Sequence, residues 1–326
     1  MGRLPRGPLV VAPALTYLAG RLLTTVLTIL GAMLLLFVLT ALIPGDPAAI
    51  LLGPQASPEA SARFIREMGL DQPIHLRFLR FFGNLLTGDL GTDVLNGRRV
   101  AATVGAVLPY TLILTFSAIL LSMVLGIPMG AYAATRPGSF VDNALAGVSV
   151  AFIAIPSFVV AILLLLLFSV YLDWLPVLGT GRVDDWGDQA RRLIMPTLAL
   201  SVGWVGYIAR LVRTSMLEVL SEPYIRTARA YGLSSTQTTY KYALKNAFIP
   251  PLAILGLGIG RLLGGAVLVE IVFARPGLGR LVLDAVNARN YPVLQGAVLA
   301  VVVLFVLANL VTDLLYVVLD PRMRRV

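Results

Sequence analysis

The sequence predicts an all-α, polytopic integral membrane protein with six transmembrane helices and both termini in the cytoplasm. Three observations support this fold class. The 326 residues are 58% apolar and only 13% charged, and a soluble protein would carry about twice that share of charge. Six apolar runs are long enough to cross ~30 Å of hydrocarbon, which takes about 20 residues each. Basic residues also concentrate in alternate loops, as they do in cytoplasmic segments.

The first span, Leu22–Ile43, follows Arg3, Arg6 and Arg21. Its apolar run is longer than the core of a secretory signal and lacks a small-residue cleavage site, so we interpret it as a retained helix. The other spans are predicted at Tyr110–Ala133, Ala144–Leu172 with an interruption at Pro156, Leu193–Met216, Leu252–Ala274 and Val293–Leu319.

A long polar insertion, Pro44–Val107, separates the first two spans and carries six basic and six acidic residues. It predicts a surface helix around Pro58–Met68 and an amphipathic helix around Pro73–Leu86. The apolar face of the second helix fits two environments equally well, lipid headgroups or the sides of the spans. That face consists of Phe78, Phe81, Phe82 and Leu85.

The loop charges predict the orientation. The N-terminus, the second and fourth loops with their membrane edges, and the tail hold thirteen Lys and Arg against four acids. The other three loops hold twelve against eleven, so the basic side is assigned to the cytoplasm. The predicted division is an N-terminal helix with an extracytoplasmic insertion (1–97), a five-helix transmembrane domain (98–319) carrying a cytoplasmic loop (217–251), and a tail (320–326).

Several classes of chemistry are excluded by composition. The chain has no cysteine and a single histidine, His75, so disulfides, thiolate zinc sites and paired imidazoles are absent. We predict no metal site and no catalytic residues. The sequence has no G-x-x-x-x-G-K-[ST] loop, and its run Gly256–Gly260 lacks the preceding strand and final glycine of a dinucleotide fingerprint. The net charge of +9 is explained by basic cytoplasmic loops and does not indicate nucleic acid.

A polar segment between the fourth and fifth spans, residues 221–251, is predicted to fold as helix–turn–helix. Ser221 is the expected N-cap of the first helix, with Glu222 and Pro223 in its first turn. Gly232 is expected to end it in a left-handed turn. Ser234 and Gln237 form a capping box for the second helix, which Pro250 and Pro251 end.

The basic residues of this segment are open to two interpretations. Lys and Arg beside a span attract anionic lipid at about 1 kcal/mol each. Alternatively, the segment binds a cytoplasmic protein, which the two caps and the glycine turn favour because lipid attraction requires no specified fold.

The fifth span carries a stripe of glycines and one charge. Gly256, Gly260 and Gly264 recur every four residues and predict close helix packing, either inside one protomer or at a subunit interface or moving surface. Arg261 is the candidate for a polar pathway, because an ionisable group in hydrocarbon usually faces a cavity or partner. Glu270 and Asp313 are interpreted as structural.

Segment 221–251 resembles the cytoplasmic EAA loop of permease subunits of bacterial ABC importers. The family pattern of Glu-Ala-Ala, three residues and Gly corresponds to Arg226–Ala228 and Gly232. The variant RTARA-x-GLS is the form in the dipeptide, oligopeptide and nickel branch, although Tyr231 and Tyr242 stand where Lys and His are usual. The resemblance covers nearly the whole chain and continues through Pro44–Pro47, Gly88–Gly91, Tyr242–Ala247, Pro250, Val269–Gly279, Asn290–Gly296, Asp313–Tyr316 and Leu319–Arg322.

The resemblance implies a type I ABC importer permease fold in the bacterial cytoplasmic membrane. It implies a second permease subunit, for which it favours a paralogue, two ABC ATPase subunits or domains, and an extracytoplasmic solute-binding protein. This chain would bind no cofactor and would have no ATPase site of its own, since the partners use ATP and Mg²⁺. ATPase coupling would fall on the first helix of the loop and its end, through Glu222, Tyr224, Arg226, Thr227, Ala228, Arg229, Gly232 and Leu233.

The solute implied by the resemblance is a dipeptide or oligopeptide, and nickel or another small solute is the alternative. The main alternative to an ABC permease is a protein of another class, a stand-alone secondary carrier or channel. Against it, the spans hold few acids able to relay protons and show no evident inverted repeat. A third alternative is a membrane scaffold without a pathway.

Overall fold

The computed structural model describes residues 11–42, 57–67, 71–182 and 184–319. These residues are mostly helical, and their extended pairing is limited to an isolated antiparallel bridge between Thr92 and Arg99. They form two compact units. The larger contains the described parts of 1–21, 111–275 and 307–326, and the smaller those of 22–110 and 276–306.

Twelve α-helices follow one another along the described residues. They are α1 Val11–Leu42, α2 Pro58–Glu67, α3 Ile74–Thr87, α4 Val100–Ala134, α5 Phe140–Ala154, α6 Ser157–Leu164, α7 Trp186–Leu220, α8 Pro223–Ala230, α9 Leu244–Ala247, α10 Ile249–Val272, α11 Leu278–Asn287 and α12 Tyr291–Leu319. A π-helical segment, Leu165–Tyr171, continues α6, and another, Gln237–Ala243, precedes α9.

Four helices of the described chain are long and apolar enough to cross a membrane, namely α1, α4, α7 and α12. The pair α5 and α6 with its π-helical extension would make a fifth if it crosses as one span. Helix α10 covers most of the predicted fifth span. The all-helical membrane fold is therefore confirmed, while the count of six, the orientation and the division at residues 97 and 319 stay predictions.

The predicted interruption of the third span is a sharp bend. Helices α5 and α6 meet at 96°, and Ile155 between them is extended, with φ −83° and ψ 121°. Pro156 explains both facts. Its ring disfavours the helical conformation in the preceding residue, and its nitrogen has no hydrogen to continue the helical ladder.

In the larger unit, α4 and α7 approach each other through small residues. A Cβ on Gly130 would lie well inside van der Waals contact with the Ala209 carbonyl oxygen, and one on Gly126 would press on Ile208. In lipid, such close packing rather than water exclusion drives helix association. The buried cluster around these helices includes Leu114, Ala118, Ala161, Met195, Ala199, Leu200, Leu262, Ala266, Val269 and Phe273.

In the smaller unit, the amphipathic helix α3 packs on α1. Phe37 of α1 is buried, and its ring lies 5.5 Å from that of Phe78 and 5.8 Å from that of Phe81, centroid to centroid. Phe82 contacts both of the α3 rings. The aromatic face of α3 therefore lies against the first span, which decides between the two environments that its sequence left open.

The loop between the fifth and sixth spans contains a helix, α11, that the sequence reading did not predict. Its residues Leu278 and Ala285 are buried in one cluster with Val100 and Val293. The side chain of Asn290 then donates a 2.5 Å hydrogen bond to Asp93. This bond and the cluster tie the start of α12 to Asp93 and Val100, near the end of the insertion between the first two predicted spans.

Candidate functional site

Helix α8, the first helix of segment 221–251, begins differently from the prediction. Glu222 occupies the N-cap position, with φ −65° and ψ 146°, and its side chain makes no capping bond. Ser221, the expected cap, belongs to the end of α7 and donates its hydroxyl to the Glu218 carbonyl at 2.7 Å. The prediction of Ser221 as N-cap was wrong, because α7 continues to Leu220 and its last carbonyls compete for that hydroxyl.

The end of α8 agrees with the prediction. Gly232 has φ +79°, its N–H donates to the Arg229 carbonyl, and the Leu233 N–H donates to the Ala228 carbonyl. This pair of bonds is the Schellman arrangement, which satisfies carbonyls that the helix leaves free. Gly232 suits the position because it has no Cβ to oppose a left-handed backbone.

The second helix of the segment starts with the predicted capping box. The Gln237 N–H donates to the Ser234 hydroxyl at 3.2 Å, and the Ser234 N–H donates to the Gln237 side-chain oxygen at 3.3 Å. The helix ends at Ala247, and Pro250 and Pro251 lie in the first turn of α10. The helix–turn–helix fold is thus confirmed, with the prolines opening the next helix instead of merely closing this one.

Segment 221–251 is anchored to the spans by apolar contacts. Ile225 of α8, Ala243 and Ala247 are fully buried in one cluster with Ile208, Val212 and Met216 of α7 and with Ala131 and Ala134 of α4. The Asn246 amide also donates to the Tyr224 hydroxyl at 2.7 Å, which joins α8 to α9. Helix α8 is therefore packed against α4 and α7 and joined to α9.

The predicted coupling residues fall into two groups. Glu222, Tyr224, Arg226, Thr227, Arg229 and Gly232 are exposed. Ala228 is buried beside Ile225, and Leu233 is half-buried. The exposed group can meet a partner directly. Ala228 lies on the buried face of α8 and is therefore not available for direct contact.

An ion pair that the sequence reading missed fixes the turn between α4 and α5. Arg213 of α7 forms a bidentate salt bridge with Asp142, in which Nη2 donates to Oδ2 at 2.7 Å and Nε donates to Oδ1. The same carboxylate accepts the Gly138 N–H at 2.9 Å. The paired geometry adds direction as well as attraction, so the turn is held against the end of α7 that leads into α8.

The predicted pathway residue, Arg261, lines a cavity of about 510 Å³ within the larger unit. Trp204 and Tyr207 of α7 form another wall, with ring centroids 5.6 Å apart and planes at 72°. Ser157, the first residue of α6, also lines it. Trp204 and Tyr207 were not predicted from the sequence, although a Trp and a Tyr three residues apart lie on one side of a helix and could have indicated a shared surface.

Two glycines of α10 that approach a neighbouring helix closely lie outside the predicted stripe. Space around Gly264 is open, whereas a Cβ on Gly258 would overlap the Trp204 ring and one on Gly265 would press on Leu200. Contacts of Gly256 lie outside the described residues. The predicted packing role of the stripe Gly256, Gly260 and Gly264 stays a prediction.

Of the two acids predicted within the spans, Glu270 and Asp313, the structure describes the side chain of Glu270. It is 1% exposed and accepts a 2.6 Å hydrogen bond from the Thr111 hydroxyl. This burial agrees with the structural role expected from the sequence. The side chain of Asp313, the other such acid, lies outside the described residues.

Comparison with known proteins identifies the family. Residues 126–325 match the family described as binding-protein-dependent transport system inner membrane component. Residues 14–115 match the N-terminal family of membrane components of the same systems. The first of these matches alone spans more than half of the chain.

Curated relatives agree with this assignment. The chain is 39% identical over 309 residues to a probable peptide ABC transporter permease, y4tP of Sinorhizobium fredii, covering 94% of this chain and 99% of the relative. It is 39% identical over 310 residues to the glutathione transport system permease GsiC of Salmonella paratyphi A, covering 95% and 99%. It is also 39% identical over 324 residues to the probable D,D-dipeptide permease DdpB of Escherichia coli, covering 92% and 95%.

A solved structure supports the fold. An inward-facing structure of the MetNI methionine ABC transporter superposes with a TM-score of 0.56 at 20% identity, covering 67% of this chain and 96% of that one. The family matches and the curated relatives confirm the resemblance noted in segment 221–251. The chain belongs to the family of inner-membrane permease components of binding-protein-dependent ABC transport systems.

Proposed function

We propose that this chain is the permease subunit of an ABC importer that carries dipeptides or oligopeptides across the cytoplasmic membrane. The names of its relatives, which refer to peptides, D,D-dipeptides and glutathione, support peptides over nickel or another small solute. The chain itself carries out no ATP hydrolysis in this proposal. Its partners bind ATP and Mg²⁺.

The observation that carries the coupling role is the construction of α8. Its inner face is buried through Ile225 and Ala228, its end is set by Gly232, and its outer face is polar and exposed. A short helix of this kind suits a groove in an ATPase, because it offers a rigid shape and is attached to the bundle. Closure of two ATPases would draw two such loops together and switch the bundles by rigid-body motion.

The proposed assembly has four kinds of component besides the lipid membrane. This chain pairs with a second permease subunit, most simply a paralogue. Two ATPase subunits or domains contact the cytoplasmic loops, with Glu222, Tyr224, Arg226, Thr227 and Arg229 at the contact. An extracytoplasmic binding protein delivers the solute, and Arg261 lies along the pathway.

Reconstitution tests this proposal. The chain is purified from cells that express it together with its natural partners, and the co-eluting proteins are identified. The assembly is then placed in proteoliposomes with the binding protein and supplied with labelled dipeptide, tripeptide, glutathione or nickel. We expect ATP-dependent peptide uptake that persists when ion gradients are collapsed. Solute accumulation by the chain alone, driven by an ion gradient, would establish the secondary carrier instead.

A further inference from the structure

The cavity beside Arg261 has the size and lining of a small-ligand site. Its volume is about 510 Å³, within the range of roughly 300 to 1,000 Å³ of such sites. Apolar residues such as Ile153 and Leu200 make up much of the wall, and a few polar groups converge on it. A mostly apolar wall with few polar groups is the usual construction of a site that orients one ligand.

The charge at this cavity lacks a partner within the described chain. Arg261 is the thirteenth of the 24 residues of α10, and its exposed side chain makes no ion pair or hydrogen bond with any described residue. A guanidinium at the middle of a membrane span is costly unless water or an anion meets it. Its planar fork matches a carboxylate, to which it donates two parallel hydrogen bonds.

The aromatic wall is held in place by the same helix that carries Arg261. The Trp204 ring lies over Gly258 so closely that any Cβ there would overlap it. Gly258 is three residues before Arg261, on the same side of α10. The ring is only partly buried, and Trp204 lines the same cavity as Arg261.

We propose that this cavity binds the C-terminal carboxylate of a peptide in transit, with Arg261 receiving the carboxylate and Trp204 and Tyr207 contacting the adjoining residue. This inference rests on the proposed peptide import. Every linear peptide has a terminal carboxylate whatever its side chains, and an aromatic face accepts many side chains. The site would therefore select free peptides as a class without reading their sequence.

Intrinsic fluorescence tests the binding directly. The chain has three tryptophans, so Trp174→Phe with Trp186→Phe leaves Trp204 as the reporter. The full-length chain, in nanodiscs of zwitterionic lipid, is titrated with alanyl-alanine and with its C-terminal amide. We expect a saturable change with the free dipeptide and about tenfold weaker binding of the amide, the difference that a charge-assisted hydrogen bond supplies.

Substitutions then assign the effect to Arg261. In Arg261→Gln the preference for the free carboxylate should disappear, and in Arg261→Lys part of it should remain, because Lys keeps the charge but loses the fork. Arg210→Gln, an exposed arginine of α7 outside the cavity lining, is the matched control and should keep the full preference. Equal binding of dipeptide and amide by the reporter chain, or no fluorescence response to either, would overturn the inference.

Transport measurements separate this inference from the proposed function. If peptide import itself is wrong, reconstituted assemblies with the unaltered chain take up no peptide. If only the carboxylate site is wrong, the unaltered assembly imports dipeptide and Arg261→Gln imports it equally well. If Arg261 instead pairs with an acid of the second permease, Arg261→Gln weakens co-purification of the two permeases and the dipeptide leaves Trp204 fluorescence unchanged, which also refutes the site.

Discussion

Replacing Gly232 tests whether the shape of α8 couples the ATPases to transport. Gly232 has φ +79°, and no atom lies within 4 Å of the place where a Cβ would be. A side chain there would meet open space, so any cost arises from the backbone and not from a clash. Three substitutions separate the two causes: Gly232→Asn, Gly232→Ala and Gly232→Val.

The magnitude follows from the left-handed backbone. An L-residue other than Asn or Asp pays roughly 1–2 kcal/mol in this region, and a β-branched residue pays the most. A cost of that size changes the ratio of formed to unformed helix end by a factor of about 5 to 30. We therefore expect ATPase co-purification and peptide uptake to decline in the order wild type, Asn, Ala, Val. Asn should be tolerated better than Ala although it is larger.

The measurements are uptake in proteoliposomes, the amount of ATPase that co-purifies, and the amount of chain in the membrane. Membrane insertion should be unchanged in all three variants. The matched control is Gly97→Val, since Gly97 also has a positive φ, +69°, and open space around it but lies in the smaller unit. It should retain ATPase co-purification. Losses that rank by side-chain volume, or full activity in Gly232→Val, would refute the reasoning.

Three further predictions concern packing and orientation. Asp142→Asn should lower the free energy of unfolding by about 1–3 kcal/mol, because Arg213, whose side chain is 29% exposed, loses a charged hydrogen-bond partner. Adding Arg213→Gln should recover part of that loss. Unfolding of the purified chain in detergent measures both changes, and a neutral single variant would contradict the pairing. Gly130→Ala should cost roughly 1–3 kcal/mol by forcing α4 from α7, whereas Gly105→Ala on the same helix, with open space around it, should be near neutral in the same assay. Tyr231→Cys places one thiol in a cysteine-free chain, at a side chain that is 85% exposed. A membrane-impermeant maleimide should label this thiol only from the cytoplasmic side. Labelling in intact cells would show that the orientation is the reverse of the predicted one.

Local chemistry explains most of what could be predicted for segment 221–251. The Gly232 turn and the reciprocal bonds of Ser234 and Gln237 involve residues within a few positions of one another, so their pattern is readable without the rest of the fold. Ser221 was the exception. Its hydroxyl could bond either to the first turn of α8 or to the last turn of α7. Because α7 continues to Leu220, the hydroxyl donates to the Glu218 carbonyl.

By itself, the sequence determined that this protein is a helical membrane permease component, where its long apolar helices run, that Pro156 breaks one of them, and that residues 221–251 fold as helix–turn–helix. Only the tertiary structure decided that Gly258 packs under Trp204, that Arg213 pairs with Asp142, that α11 forms, and that Arg261 shares a cavity with two aromatic residues. For the helices within the spans, the physical reason is the solvent. In water an amphipathic pattern shows which helix face is buried, whereas in lipid both faces are apolar, so the packed face is set by the shapes of neighbouring helices.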